Sequence, residues 1–205
     1  MIDRQRYELI RRKHGHYASW AVWADPSQKA KSNMGDITIF DNQTILSQLR
    51  PGLIMVGLNL SRFTTSEPFR NFHDPNPKAQ DYKIRHAFIG TEYYGAYMTD
   101  IIKGLVEVDS KNVIKHLKDN PCTLETSLEI FREEIADLGV AAPTFLIFGA
   151  VAYKVLINNL KPSEYTRCVR LTHYSHQISE KNYRASVAEE IKSAFLDSSS
   201  LLRAQ

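Results

Sequence analysis

The chain has 205 residues, 43% of them hydrophobic and 24% charged, a balance that fits one globular domain with a sizeable core. No apolar run approaches the roughly 20 residues a membrane-spanning helix needs, and two cysteines, Cys122 and Cys168, provide neither a disulfide framework nor a paired thiolate metal site. A formal net charge of +3 permits contact with phosphate without demanding it. The opening stretch, MIDRQRYELIRRKHGH, is too charged for a secretory signal, so the expected location is cytoplasmic, with no membrane partner.

In chain order, residues 4–20 predict a helix carrying Tyr7, Leu9, Ile10, Tyr17 and Trp20 among basic residues, within an N-terminal helical extension over 1–35. ITIF at 37–40 is short and β-rich, a helix follows over 43–49, and Pro51-Gly52 breaks the chain. LIMVG at 53–57 is a continuous apolar run ending at glycine, as suits a strand covered on both faces of a parallel sheet. Residues 58–78, rich in Asn, Ser, Thr, Pro and Phe, predict a long loop, and long loops in compact domains are often functional. A helix over 79–90, a strand over 96–102 and a short helix over 111–118 come next. Leu128, Phe131, Ile135 and Leu138 recur at helical spacing in 123–138, with Gly139 as the stop. A strand at 144–149, a helix at 150–160, a strand at 166–172, the loop HYSHQIS and a closing helix at 180–196 complete the pattern.

Strand and helix alternate, which predicts an α/β fold: three layers, α/β/α, on a four-stranded and mainly parallel sheet, with 1–205 as one domain. In such sheets ligands bind outside the carboxyl ends of the strands. The residues to read closely are therefore those around Asn59, Asp100, Gly149 and His173. No Gly-rich nucleotide loop, dinucleotide fingerprint or GxSxG elbow occurs.

Four of these strand ends, in order, resemble motifs of the uracil-DNA glycosylase superfamily. They are VGLNLSR at 56–62, GAYMTDIIKG at 95–104, LIFGAVAYKVL at 146–156 and LTHYSHQIS at 171–179. The first resembles that of the mismatch-specific and single-strand-selective branches, to which the chain as a whole lies nearest. The resemblance covers about residues 50–195. It implies N-glycosidic cleavage of a uracil-type or deaminated base, with no cofactor and no metal, and as partner DNA, single strands included, or a free nucleobase or nucleoside. A non-catalytic nucleobase-binding module on the same fold is the alternative.

That cleavage puts positive charge on the sugar and negative charge on the leaving base, so water must be placed at C1′ and a donor must meet the base oxygens. The base must also leave its stack for a pocket. By the resemblance, Asn59 matches the water-positioning residue and His173 the donor to a base carbonyl. Gly57, Leu58, Phe72, Asp100 and Ser175 then match substrate-binding positions, with Phe72 preferred to Phe69 as the stacking ring. An amide orients water but is no base. Read without the resemblance, Asn59 stabilises a turn through backbone bonds, and Asp100 is a strand-end aspartate paired with Lys103 or Arg62. The matching family position usually holds Asn. An ionised aspartate only accepts hydrogen bonds, so it favours a base edge with amino or ring N–H donors. His73 and Asp74 could face the same pocket, and Gln177 stands where an apolar wedge usually enters a duplex, with Ile178 adjacent and able to serve. The aromatic residues Tyr17, Trp20 and Trp23 are read chiefly as core.

Overall fold

The computed structural model describes residues 1–25, 29, 31–61 and 67–201, with the backbone alone for 197–201. Its sheet has five strands: β1 (Ala18–Trp20), β2 (Arg50–Leu60), β3 (Ala96–Val106), β4 (Thr144–Phe148) and β5 (Arg167–Leu171), in the order β1-β3-β2-β4-β5. Strands β3, β2, β4 and β5 run parallel, while β1 lies antiparallel against β3 with Ser19 opposite Met98.

The α/β class and the helices on both faces agree with the sequence reading, but the sheet is five-stranded and mixed. The difference lies in residues 4–20. Their helix, α1, covers only Arg4–Lys13, is capped by the Asp3 carboxylate and ends at His14. Beyond it Ala18, Ser19 and Trp20 are all fully buried and form the edge strand. Helical spacing of aromatic residues misleads here, because each of these side chains is enclosed whichever face it takes. The segment read as an N-terminal extension thus supplies an edge strand, and Trp20 and Trp23 sit in the core. The ITIF segment is also no strand: Thr38–Asp41 and Gln43–Ser47 are 3₁₀ turns.

The parallel strands follow the alternation that buries both faces of a sheet. Ile54, Val56, Tyr97, Phe145 and Ile147 pack on one side, toward α1, α3 (Ser110–Asp119), α4 (Pro121–Asp137) and α5 (Ala150–Asn159). Met55, Met98, Leu146, Phe148 and Val169 pack on the other, toward α2 (Tyr82–Phe88) and α6 (Glu180–Leu201). Pro51 and Gly52 do not end the chain's extended run; they lie within β2, where the register with β3 shifts between Arg50 and Ile54. No helix among the described residues is long and apolar enough to cross a membrane.

The chain goes from β2 outward to β3 on one side, then crosses back to place β4 on the other. Such a reversal splays the connections apart and opens a crevice at the carboxyl end of the central strand.

Candidate functional site

A cleft of about 440 Å³ occupies that position. Its walls come from the ends of β2 (Gly57, Leu58, Asn59), β3 (Asp100) and β4 (Phe148), the start of α5, the loop around Phe72 and the loop after β5 (His173, Tyr174, Ser175). Gly57, Leu58, Asn59, Phe72, Asp100, His173 and Ser175 all line it, so residues spread over much of the chain meet in one place. Phe69 does not: it is fully buried against Tyr7 and Phe40. Phe72, held at a positive φ of 63°, turns its ring toward the cleft and meets Tyr174 edge-on. Asp74 lines the cleft, whereas His73 is sealed in the core between Trp23 and Phe40. Ile178 is partly buried and packs against the core cluster that contains α6. Arg62 lies outside the described residues.

The end of β2 is irregular. Asn59 pairs with Ile102 and the next residue, Leu60, with Val106, so β3 carries a bulge in which Gly104 takes φ of 71°. A bulge leaves carbonyl groups without ladder partners. Asn59 clasps the bulge: its Nδ2 reaches the carbonyl oxygens of Leu60 at 2.7 Å, which also takes the Glu107 N–H at 3.0 Å, of Glu107 at 2.8 Å and of Leu105 at 3.4 Å. Its Oδ1 accepts no hydrogen bond from the described residues and remains available at the cleft wall. The stabilising role considered for Asn59 is therefore present.

At the floor, Asp100 is 4% exposed. Its Oδ2 accepts from Asn71 Nδ2 at 2.9 Å. Asn71 Nδ2 also donates to the Tyr17 carbonyl at 2.9 Å, and Asn71 Oδ1 accepts the Phe72 N–H at 3.0 Å. Burial raises Asp100 to about 6, against the pull of the Asn71 bond and the Lys103 charge. The expected pairing with Lys103 is absent: Lys103 Nζ lies 2.6 Å from Glu134 and 2.7 Å from Thr99 Oγ1. A Cβ on residue 57 would stand 2.1 Å from Asp100 Oδ1, which is why only glycine fits beneath the carboxylate.

His173 is half-buried and stacks on Tyr174 with ring centroids 4.4 Å apart. Gly149, at φ 89°, lets α5 begin directly under this ring, where a Cβ would touch it at 3.4 Å. The Ser175 backbone N–H donates to His173 Nδ1 at 3.1 Å, and Ser175 Oγ lies 2.8 Å from the same nitrogen. An Nδ1 that accepts a backbone N–H carries no proton, so Nε2 is the N–H of the neutral ring. Burial lowers the His173 pKa to about 4, which keeps the ring neutral near pH 7. Asn71, His16 and Arg70 also line the cleft, and the sequence alone does not single them out. No pattern marks Asn71 except its place beside Phe72. Among the described residues no group of three or more His, Cys, Asp or Glu could hold a metal ion. Comparison of the chain with protein-family models, with curated proteins and with solved structures finds no match.

Proposed function

We propose that the cleft takes a nucleobase and that the chain hydrolyses its N-glycosidic bond, as a divergent relative of the uracil-DNA glycosylases acting on a base in DNA, single strands included, or in a nucleoside. The observation that carries this reading is the meeting of Asn59, Phe72, Asp100 and His173 around one cleft, with His173 in the tautomer that donates from Nε2. Phe72 offers a ring on which a flipped base stacks. The C1′–N bond breaks with its electron pair on the base, and the His173 Nε2–H meets the negative charge that develops on a base oxygen. Water oriented by Asn59 Oδ1 adds to C1′, and its proton ends on the departing base. Asn59 orients that water and does not deprotonate it.

The test is release of free base from oligonucleotides carrying uracil, hypoxanthine, xanthine or mismatched thymine, single- and double-stranded, and from free guanosine and cytidine. Release that falls about 10²- to 10³-fold in His173→Ala, the range for losing one preorganised donor, supports the reading. No release from any of them overturns it. One observation favours a second reading, a nucleobase-binding module without turnover: the Asn59 amide nitrogen is committed to three strand-end carbonyls. Thermal stabilisation by bases without release is the outcome expected of that module.

A further inference from the structure

We propose that the cleft selects a base whose edge presents an amino group to Asp100, guanine before cytosine, and discriminates against a uracil edge. The inference rests on the nucleobase reading above and names the class of base.

The floor of the cleft offers acceptors. Asn71 is the only side chain hydrogen-bonded to Asp100 among the described residues, and it is saturated. Both Nδ2 hydrogens are committed, to Asp100 and to the Tyr17 carbonyl, and Oδ1 takes the Phe72 N–H. It cannot turn to give a ligand a donor without breaking three bonds. Asp100 Oδ1 accepts nothing from the described residues, and it overhangs Gly57, with the Phe72 ring 3.5 Å from the point where a Cβ would stand. An acceptor thus sits beside the ring on which a base would stack. Lys103, the cation that would neutralise this carboxylate, is instead held by Glu134 and Thr99.

Base edges differ in what they bring to such a floor. Guanine presents two neighbouring donors, the ring N1–H and the 2-amino group, followed by the O6 acceptor. The donors answer the carboxylate and the acceptor answers the His173 Nε2–H. Cytosine presents one amino donor followed by acceptors, and aspartate is a known kind of partner for it. Uracil presents its single N–H between two carbonyl oxygens, so at least one of them is forced toward the carboxylate. An unanswered buried acceptor facing another acceptor is where rejection of a wrong ligand is strongest.

The experiment measures binding of guanosine, cytidine and uridine at pH 8, where the carboxylate is ionised, to the full chain and to Asp100→Asn, by calorimetry. Guanosine or cytidine is expected to bind the parent roughly 5- to 150-fold tighter than uridine, the range that one well-made pair of hydrogen bonds discriminates. Asp100→Asn, which brings an amide donor, is expected to reverse the order in favour of uridine. Uridine binding the parent as tightly as the other two overturns the selectivity and leaves the nucleobase reading standing. An unchanged order in Asp100→Asn overturns the role of Asp100. No binding of any nucleoside to the parent overturns this inference, and base release from the oligonucleotides above decides the nucleobase reading separately. Should Asp100→Asn fail to fold, shown by loss of its far-ultraviolet dichroism, the order measured on the parent decides alone.

Discussion

Asp100 and Lys103 lie three positions apart on one strand and meet opposite fates. Beneath α4, Lys103 is closed into a polar knot. Its ammonium contacts Glu134 and Thr99 and lies over the Tyr17 ring at 4.3 Å, while Glu134 also takes the Tyr97 hydroxyl at 2.5 Å. Lys103 and Glu134 side chains are 5% and 1% exposed. At the cleft, Asp100 is as deeply buried but commits one oxygen and keeps the other. A buried charge whose every partner is protein serves the architecture, and one left half-answered is the kind of group that binds ligands.

Four variants bear on that contrast. Glu134→Ala has the largest expected effect. It leaves Lys103 buried without its counter-charge and the Tyr97 hydroxyl without its acceptor, and should lower unfolding free energy by about 3–5 kcal/mol in a denaturant titration. Lys103→Met combined with Glu134→Leu should recover most of that loss, because an apolar pair of similar volume leaves no orphaned charge. Failure to recover would mean the knot stabilises beyond its own desolvation.

Asp100→Asn should act in the other direction. With a folded pKa raised from 3.8 to about 6, Asp100 binds its proton more tightly in the native state. The contribution of Asp100 to stability therefore rises as pH falls from about 6 to about 4, and folding at pH 8 bears the full cost of the buried carboxylate. Asparagine carries no such cost, so the variant should be the more stable at pH 8. The difference should reach up to about 3 kcal/mol, each tenfold change in proton affinity being worth about 1.4 kcal/mol, and should vanish below about pH 4. The groups that act on this titration are Asn71, Lys103 and Glu134. His73 and His173, lowered by burial to about 3 and about 4, shed stability as pH falls below 6.5 in parent and variant alike, so their contribution cancels in the difference. Thermal melts of the two proteins across pH 4 to 8 check this.

Ser175→Ala should have the smallest effect. Ser175 is exposed, and its backbone N–H still holds His173 Nδ1 after the hydroxyl is gone. Stability should change by less than about 1 kcal/mol. A larger loss in the same melts would place Ser175 in the architecture rather than in the cleft.

Strands β2 and β4 were legible because each holds an unbroken apolar run, LIMV and FLIF, the pattern forced on a strand buried on both faces. The cleft was legible through them, since the residues after such strands converge at the carboxyl edge. What escaped is what depends on which neighbours fold beside a residue. Ala18–Trp20 contains no β-branched run, and only the free edge of β3 makes it a strand. Lys103 stands near Asp100 in sequence, but a residue on a distant helix, Glu134, claims it. Asn71 gives no local signal at all, and its importance comes from lying between Tyr17 and Asp100.

The bulge closed by Asn59 also limits what chemistry the wall can evolve. A carboxylate at this position would activate water more strongly than an amide does. Yet Asn59 Nδ2 faces three carbonyl oxygens. Asn59→Asp would offer them only another acceptor, so the strand pair would lose its clasp as the site gained a base. In the proposed hydrolysis, a base gained at residue 59 would therefore come at the expense of the strand pair.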